Sequence, residues 1–89
     1  MKDAMMKAPL GDDIFRDCPT TIKFERMIAD LLGKEAALMV TSGTQANLIS
    51  QMIVKKDVGD AIILGHKSHM LCYERGGICS IAGLMPRVL

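Results

Sequence analysis

Hydrophobic and polar positions change their rhythm several times along this chain, and each change marks an element. From Thr21 onward, Phe24, Met27, Ile28, Leu31 and Leu32 recur at i, i+3, i+4, i+7 and i+8. That spacing predicts an amphipathic helix packed on a core. Thr20 or Thr21 is placed to cap its start and Gly33 to end it. The unbroken run Ala36-Ala37-Leu38-Met39-Val40 then predicts a buried strand. A second helix follows over Gln45–Val54, with Leu48, Ile49, Met52 and Ile53 on one face and Asn47 and Gln51 off it. Val58-Gly59-Asp60 turns into a second apolar strand, Ala61–Leu64. A third helix is expected from about His69 to Arg75, capped by Ser68 and stopped by Gly76-Gly77, and the remainder, through Gly83 to Pro86-Arg87-Val88-Leu89, reads as the approach to another strand. Before Pro19 no period is sustained, and Gly11-Asp12-Asp13 reads as a turn.

Helices alternating with short, wholly apolar strands imply an α/β fold. Its sheet is expected to be mostly parallel, with right-handed crossovers and helices covering both faces. In such sheets ligands gather at the carboxyl ends of the strands. Ser42-Gly43-Thr44 follows the first expected strand, and His66 and His69 follow the second. The small-residue turn opens a helix, so free backbone N–H groups and the helix dipole favour an anion there. The turn lacks both the Gly-Lys-Ser/Thr of a Walker loop and the G-x-G-x-x-G of a dinucleotide site. A smaller ligand with a single phosphate fits it better. Taken alone, the same turn also serves as a capped strand–helix connection.

Composition narrows the classes. The chain has 89 residues, 49% hydrophobic and 24% charged, with net charge +1. So apolar and short a chain is expected to need more polypeptide or a partner to cover its faces. No basic stripe suits a nucleic acid, and no apolar run is long enough to cross a bilayer. Cys18, Cys72 and Cys79 are odd in number and read as free thiols in a reducing, cytoplasmic setting.

His69 at a helix start can stack on a flat ring or carry a proton; it can equally help cap the helix. His66 reads as an exposed loop residue. His66-x-x-His69-x-x-Cys72, with Cys79 beyond, has ligand-type residues but no common zinc spacing, so no metal site is expected. Asp12 and Asp13 are expected to stabilise a turn. Tyr73-Glu74 could contribute polar groups to a site, but reads more readily as a structural pair with the tyrosine half-buried; the eight methionines suit an adaptable core, three of them in an irregular start.

The order of motifs carries more than any one of them. Gly11-Asp12-Asp13-Ile14-Phe15, Pro19-Thr20, Leu32-Gly33-Lys34-Glu35-Ala36-Ala37, Ser42-Gly43-Thr44-Gln45-Ala46-Asn47, then Ser68-His69 with Tyr73-Glu74 and Gly76-Gly77 resemble the low-specificity L-threonine aldolases. These are fold type I enzymes using pyridoxal 5′-phosphate. The resemblance implies that residues 1–89 form an amino-terminal portion of the large domain. Gly43 and Thr44, helped by Ser42, would hold the cofactor phosphate, and His69 would stack on the pyridine ring as the catalytic histidine. The implied reaction is retro-aldol cleavage of a small β-hydroxy amino acid, giving glycine and, from threonine or allo-threonine, acetaldehyde.

The resemblance also implies a homo-oligomer, since the family's sites form between subunits. Cys18 and Gly65 stand where the family has aspartates, and Phe24 where it has a leucine. None of Lys2, Lys7, Lys23, Lys34, Lys55, Lys56 and Lys67 matches the family's Schiff-base lysine. That lysine, the aspartate facing the pyridine nitrogen and the arginines for the substrate carboxylate belong to later segments. The 89 residues by themselves are therefore expected not to turn over. Two other readings remain open: an inactive short product acting as an interaction module, and a related β-eliminating lyase on the same cofactor.

Overall fold

The computed structural model describes Met1–Leu89 as two compact units, Met1–Met39 and Val40–Leu89.

In the first unit the start is more regular than the sequence suggests. Lys2–Lys7 forms a six-residue helix, α1, with no buried residue, so the early methionines lie on an exposed helix rather than in an irregular stretch. Asp12 caps a single 3₁₀ turn at Asp13–Phe15 by accepting the Ile14 N–H at 2.9 Å. That is the turn expected of the acidic pair. The loop needs glycine at position 11, because a Cβ there would sit 2.5 Å from the Asp17 carbonyl oxygen.

Helix α2 runs Pro19–Leu32, with Gly33 in the left-handed conformation at its end, as the pattern predicts. Its start differs. Cys18 occupies the cap position, Pro19 follows with its ring-fixed φ suited to the first turn, and Thr20 donates its hydroxyl to the Pro9 carbonyl at 2.6 Å. Its apolar stripe is not covered as expected. Phe24, Met27, Leu31 and Leu32 are exposed, and the buried position is Ala29.

The strand expected at Ala36–Val40 does not form. A strand exists only through ladder bonds to a neighbour, and this segment has none. Instead the Met39 N–H donates to the Glu25 carboxylate at 2.7 Å.

In the second unit, α3 spans Gly43–Val54, β1 Ala61–Leu64, α4 His69–Cys72, α5 Gly77–Ser80 and β2 Met85–Val88. Strands β1 and β2 pair in parallel, Ala61 with Met85 through Leu64 with Val88. The expected α/β character with a parallel sheet is present on this small scale. The sheet is packed on one face and not on both. Leu64 is buried while Ile63, pointing the other way, is 68% exposed. The third helix stops at Cys72 rather than running to Arg75, and a further short helix, α5, begins at Gly77, where only a stop is expected. Arg75 and Gly76 both take positive φ, ending α4 and re-aiming the chain into α5. Ser68 precedes α4 without a side-chain cap bond.

Leu64, Ile78, Ala82 and Leu84 form the core of this unit, with Leu48, Ile62, Met70 and Leu71 against them. Lys55 closes its edge by donating from Nζ to the Ala82 carbonyl at 2.6 Å. No helix is long and apolar enough to cross a membrane.

Candidate functional site

Helix α3 opens the site. Ser42 is extended, and its hydroxyl accepts the Gln45 N–H at 3.1 Å while its carbonyl accepts that of Ala46 at 3.0 Å. Gln45 reaches back to accept from both the N–H (3.0 Å) and the hydroxyl (2.7 Å) of Thr41. This is a reciprocal cap displaced by one residue from the usual box. The sequence reading missed it, although a glutamine three residues beyond a serine signals it. The cap leaves the Gly43 and Thr44 N–H groups without an acceptor in the chain. Space beside Gly43 is open, since a Cβ there would meet nothing within 4 Å. Ser42, Gly43 and Thr44 are all exposed. The result is a small, exposed donor set at the positive end of a 12-residue helix, chemistry that suits an oxyanion.

His69 comes from the start of α4. Its Nδ1 lies 2.8 Å from Glu74 Oε1, and its side chain is 61% exposed while that of Glu74 is 4% exposed. Asn47, one turn into α3 from Gly43, donates from Nδ2 to the same Glu74 oxygen at 2.6 Å. A continuous hydrogen-bonded chain, Asn47–Glu74–His69, thus links the helix that carries the donor turn to the histidine. The sequence pattern places Asn47 off the apolar face and reads Glu74 either as a polar contributor to a site or, more readily, as the structural partner of a half-buried tyrosine. The burial is the reverse: Tyr73 is exposed, packing its ring 5.3 Å from that of His69 at 44°, and Glu74 is buried. Gln51, also placed off the apolar face, is buried too, its Nε2 against Met70 Sδ at 2.9 Å.

The Asn47 amide, and then His69, hold the Glu74 carboxyl below its ordinary value of 4.5. The N–H groups of Asp57 and Lys56 do the same for Asp60, ordinarily 3.8. A carboxylate whose folded-state value is depressed contributes stability that is present above its unfolded value and lost as pH falls through the folded one. Urea midpoints should therefore fall on acidification below about pH 4.5, and Glu74→Gln should flatten part of that acid limb.

The ligand-type residues around His66 do not converge. The Cys72 thiol donates to the His66 carbonyl at 3.3 Å, and no cluster of three or more His, Cys, Asp or Glu side chains is assembled. All three cysteines are free, with Cys18 buried and the other two exposed.

The family profile of the beta-eliminating lyases matches residues 1–89, the whole chain. The chain belongs to the beta-eliminating lyase family. It is 42% identical to the probable low-specificity L-threonine aldolase 2 of Arabidopsis thaliana over 89 residues. It is 43% identical to low-specificity L-threonine aldolase 1 of the same plant, again over 89 residues. Both matches cover 100% of the chain and 25% of the relative. The low specificity L-threonine aldolase of Escherichia coli K12 is 38% identical over 87 residues, 98% of the chain and 26% of that protein. The chain spans about a quarter of the length of these relatives. The similarity to threonine aldolases expected from the motif order is therefore present along its length.

Proposed function

We propose that this chain supplies the phosphate-binding turn and the ring-facing histidine of a pyridoxal 5′-phosphate enzyme that cleaves small β-hydroxy amino acids. In this reading residues 1–89 are an amino-terminal part of a fold type I large domain in a cytoplasmic homo-oligomer. Threonine and allo-threonine are its substrates, glycine and acetaldehyde its products. One observation carries the reading: the donor turn of α3 and His69 are tied into one unit by Asn47 and Glu74.

The residues present fit the cofactor. The two uncommitted N–H groups at Gly43 and Thr44 and the open space beside Gly43 suit a phosphate monoester. The exposed His69 ring is flat, fixed at one edge by Glu74 and neighboured by the Tyr73 ring. When bound, the cofactor would supply the electron sink that makes the Cα–Cβ bond of an amino acid breakable. The chain's own contribution is to anchor the phosphate, orient His69 and keep that ring from rotating.

Two measurements test the proposal in the full-length protein. Absorbance on titration with pyridoxal 5′-phosphate should show saturable uptake, and L-allo-threonine should yield glycine. The family's description favours a second reading, β-elimination from a substituted amino acid. Release of ammonia and a 2-oxo acid without glycine would select it. A protein that takes up no cofactor, and only associates with longer homologous subunits, would point to the interaction module instead.

A further inference from the structure

The mechanism sketched above uses His69 but gives no reason for a buried glutamate behind it. Glu74 is 96% removed from solvent at its side chain, counting from its 4% exposure. Burying a carboxylate is costly unless it is hydrogen-bonded. Both of its bonds of this kind converge on one oxygen, Oε1, from Asn47 Nδ2 at 2.6 Å and His69 Nδ1 at 2.8 Å. These partners come from two different helices, α3 and α4, so the oxygen fixes the histidine relative to the donor turn.

We propose that Glu74, held by Asn47, is a positioning residue that locks His69 in its Nδ1–H tautomer and leaves Nε2 as an outward-facing proton acceptor.

The donor and acceptor inventory leads there directly. An ionised carboxylate only accepts hydrogen bonds, and the Asn47 amide stabilises that ionised form. With Oε1 accepting, Nδ1 of His69 must carry the hydrogen. In a neutral imidazole the other nitrogen then bears the lone pair. Nε2 makes no hydrogen bond within the chain, and the ring is mostly exposed. This inference rests on the proposed function for what Nε2 meets: the β-hydroxyl of the substrate. There the hydroxyl O–H bond breaks, an Nε2–H bond forms, and the electron pair stays on the substrate oxygen. The ring, now doubly protonated, has its added charge beside the Glu74 carboxylate. Without Glu74, the ring would be free to turn and to exchange tautomers.

The tautomer can be read without cofactor or substrate, by nitrogen NMR of the full-length protein labelled with 15N-histidine, assigned with His69→Gln. The expected spectrum has a protonated, pyrrole-type Nδ1 and a pyridine-type Nε2 at His69. Glu74→Ala should return the ring to the Nε2–H form that a solvated imidazole favours. Glu74→Gln should keep the Nδ1–H form, because its amide oxygen still accepts. An Nε2–H tautomer in the wild-type protein would overturn the proposal, whatever the variants do. So would an unchanged spectrum in Glu74→Ala. If that variant fails to fold, the wild-type and Glu74→Gln spectra still decide. In the cleavage assay Glu74→Ala should lose about 100-fold in kcat, within the range for a positioned proton acceptor, with KM nearly unchanged. Cofactor uptake is measured separately, so the proposed function can fail while the tautomer result stands, and the reverse.

Discussion

Gly43→Glu should abolish cofactor uptake while leaving the helix intact. Position 43 is the first residue of α3, its φ is not in the left-handed region, and a side chain there meets nothing within 4 Å. A carboxylate in a first helical turn is favoured by the dipole, so thermal stability should hold or rise slightly. The same carboxylate would stand where the phosphate is proposed to bind. Like charges brought together cost several kcal/mol, and each 1.4 kcal/mol or so is tenfold in affinity. Titration of the variant with pyridoxal 5′-phosphate should therefore show at least about a 100-fold weaker dissociation constant. Gly43→Ala, which adds a methyl and no charge, should bind within a few-fold of wild type. Equal uptake by all three proteins would remove the phosphate from this turn.

The second large effect concerns stability. Ile78 is 3% exposed and sits in the small core beside Ala82, which is 0% exposed, with Leu64 and Leu84. A cluster so limited has little neighbouring material to collapse into a void. Ile78→Ala should cost about 2–5 kcal/mol, the range for truncating a large buried aliphatic residue. In a domain of this size each kcal/mol lowers Tm by roughly 4–8 °C. Ile81→Ala, three residues on and 59% exposed, is the control and should stay within about 0.5 kcal/mol. Similar losses for the two variants would mean that the core lies elsewhere than in the Leu64–Ile78–Ala82–Leu84 cluster.

How far the sequence revealed the molecule depends on whether a feature is local. The helices at Pro19–Leu32 and Gly43–Val54, the Gly33 stop and the strand at Ala61–Leu64 were legible because caps and periodicity act over a few residues. The strand expected at Ala36–Val40 was not, because an apolar run records burial and not a ladder partner. The stop at Gly76-Gly77 was legible, but the early end of α4 at Cys72 and the short α5 beyond were not, since the turn between them includes Arg75 at a positive φ, which is uncommon for arginine. Of the candidate site, Ser42, Gly43, Thr44 and His69 were legible by motif. Glu74 was legible only as a possible polar contributor, and its pairing with Asn47 was not legible, since it joins residues 27 positions apart. Polar residues on an amphipathic helix read as solvent-facing until their partners are known. The uncovered stripe of α2 shows the same limit: periodicity says which face is apolar, and not what lies against it.

The β1–β2 ladder carries a consequence for the order of assembly. Each of its pairs joins residues 24 positions apart, as Ala61 joins Met85, ample for the dozen or more residues that any parallel crossover requires. Parallel pairing usually slows folding because distant segments must first find each other. Here the closing loop is short and filled by α4 and α5, and closure entropy grows only slowly with length. The ladder belongs among the long-range contacts of the molecule, although its strands close within a single stretch of chain. It and the core residues between its strands emerge together during synthesis, within one continuous stretch of chain.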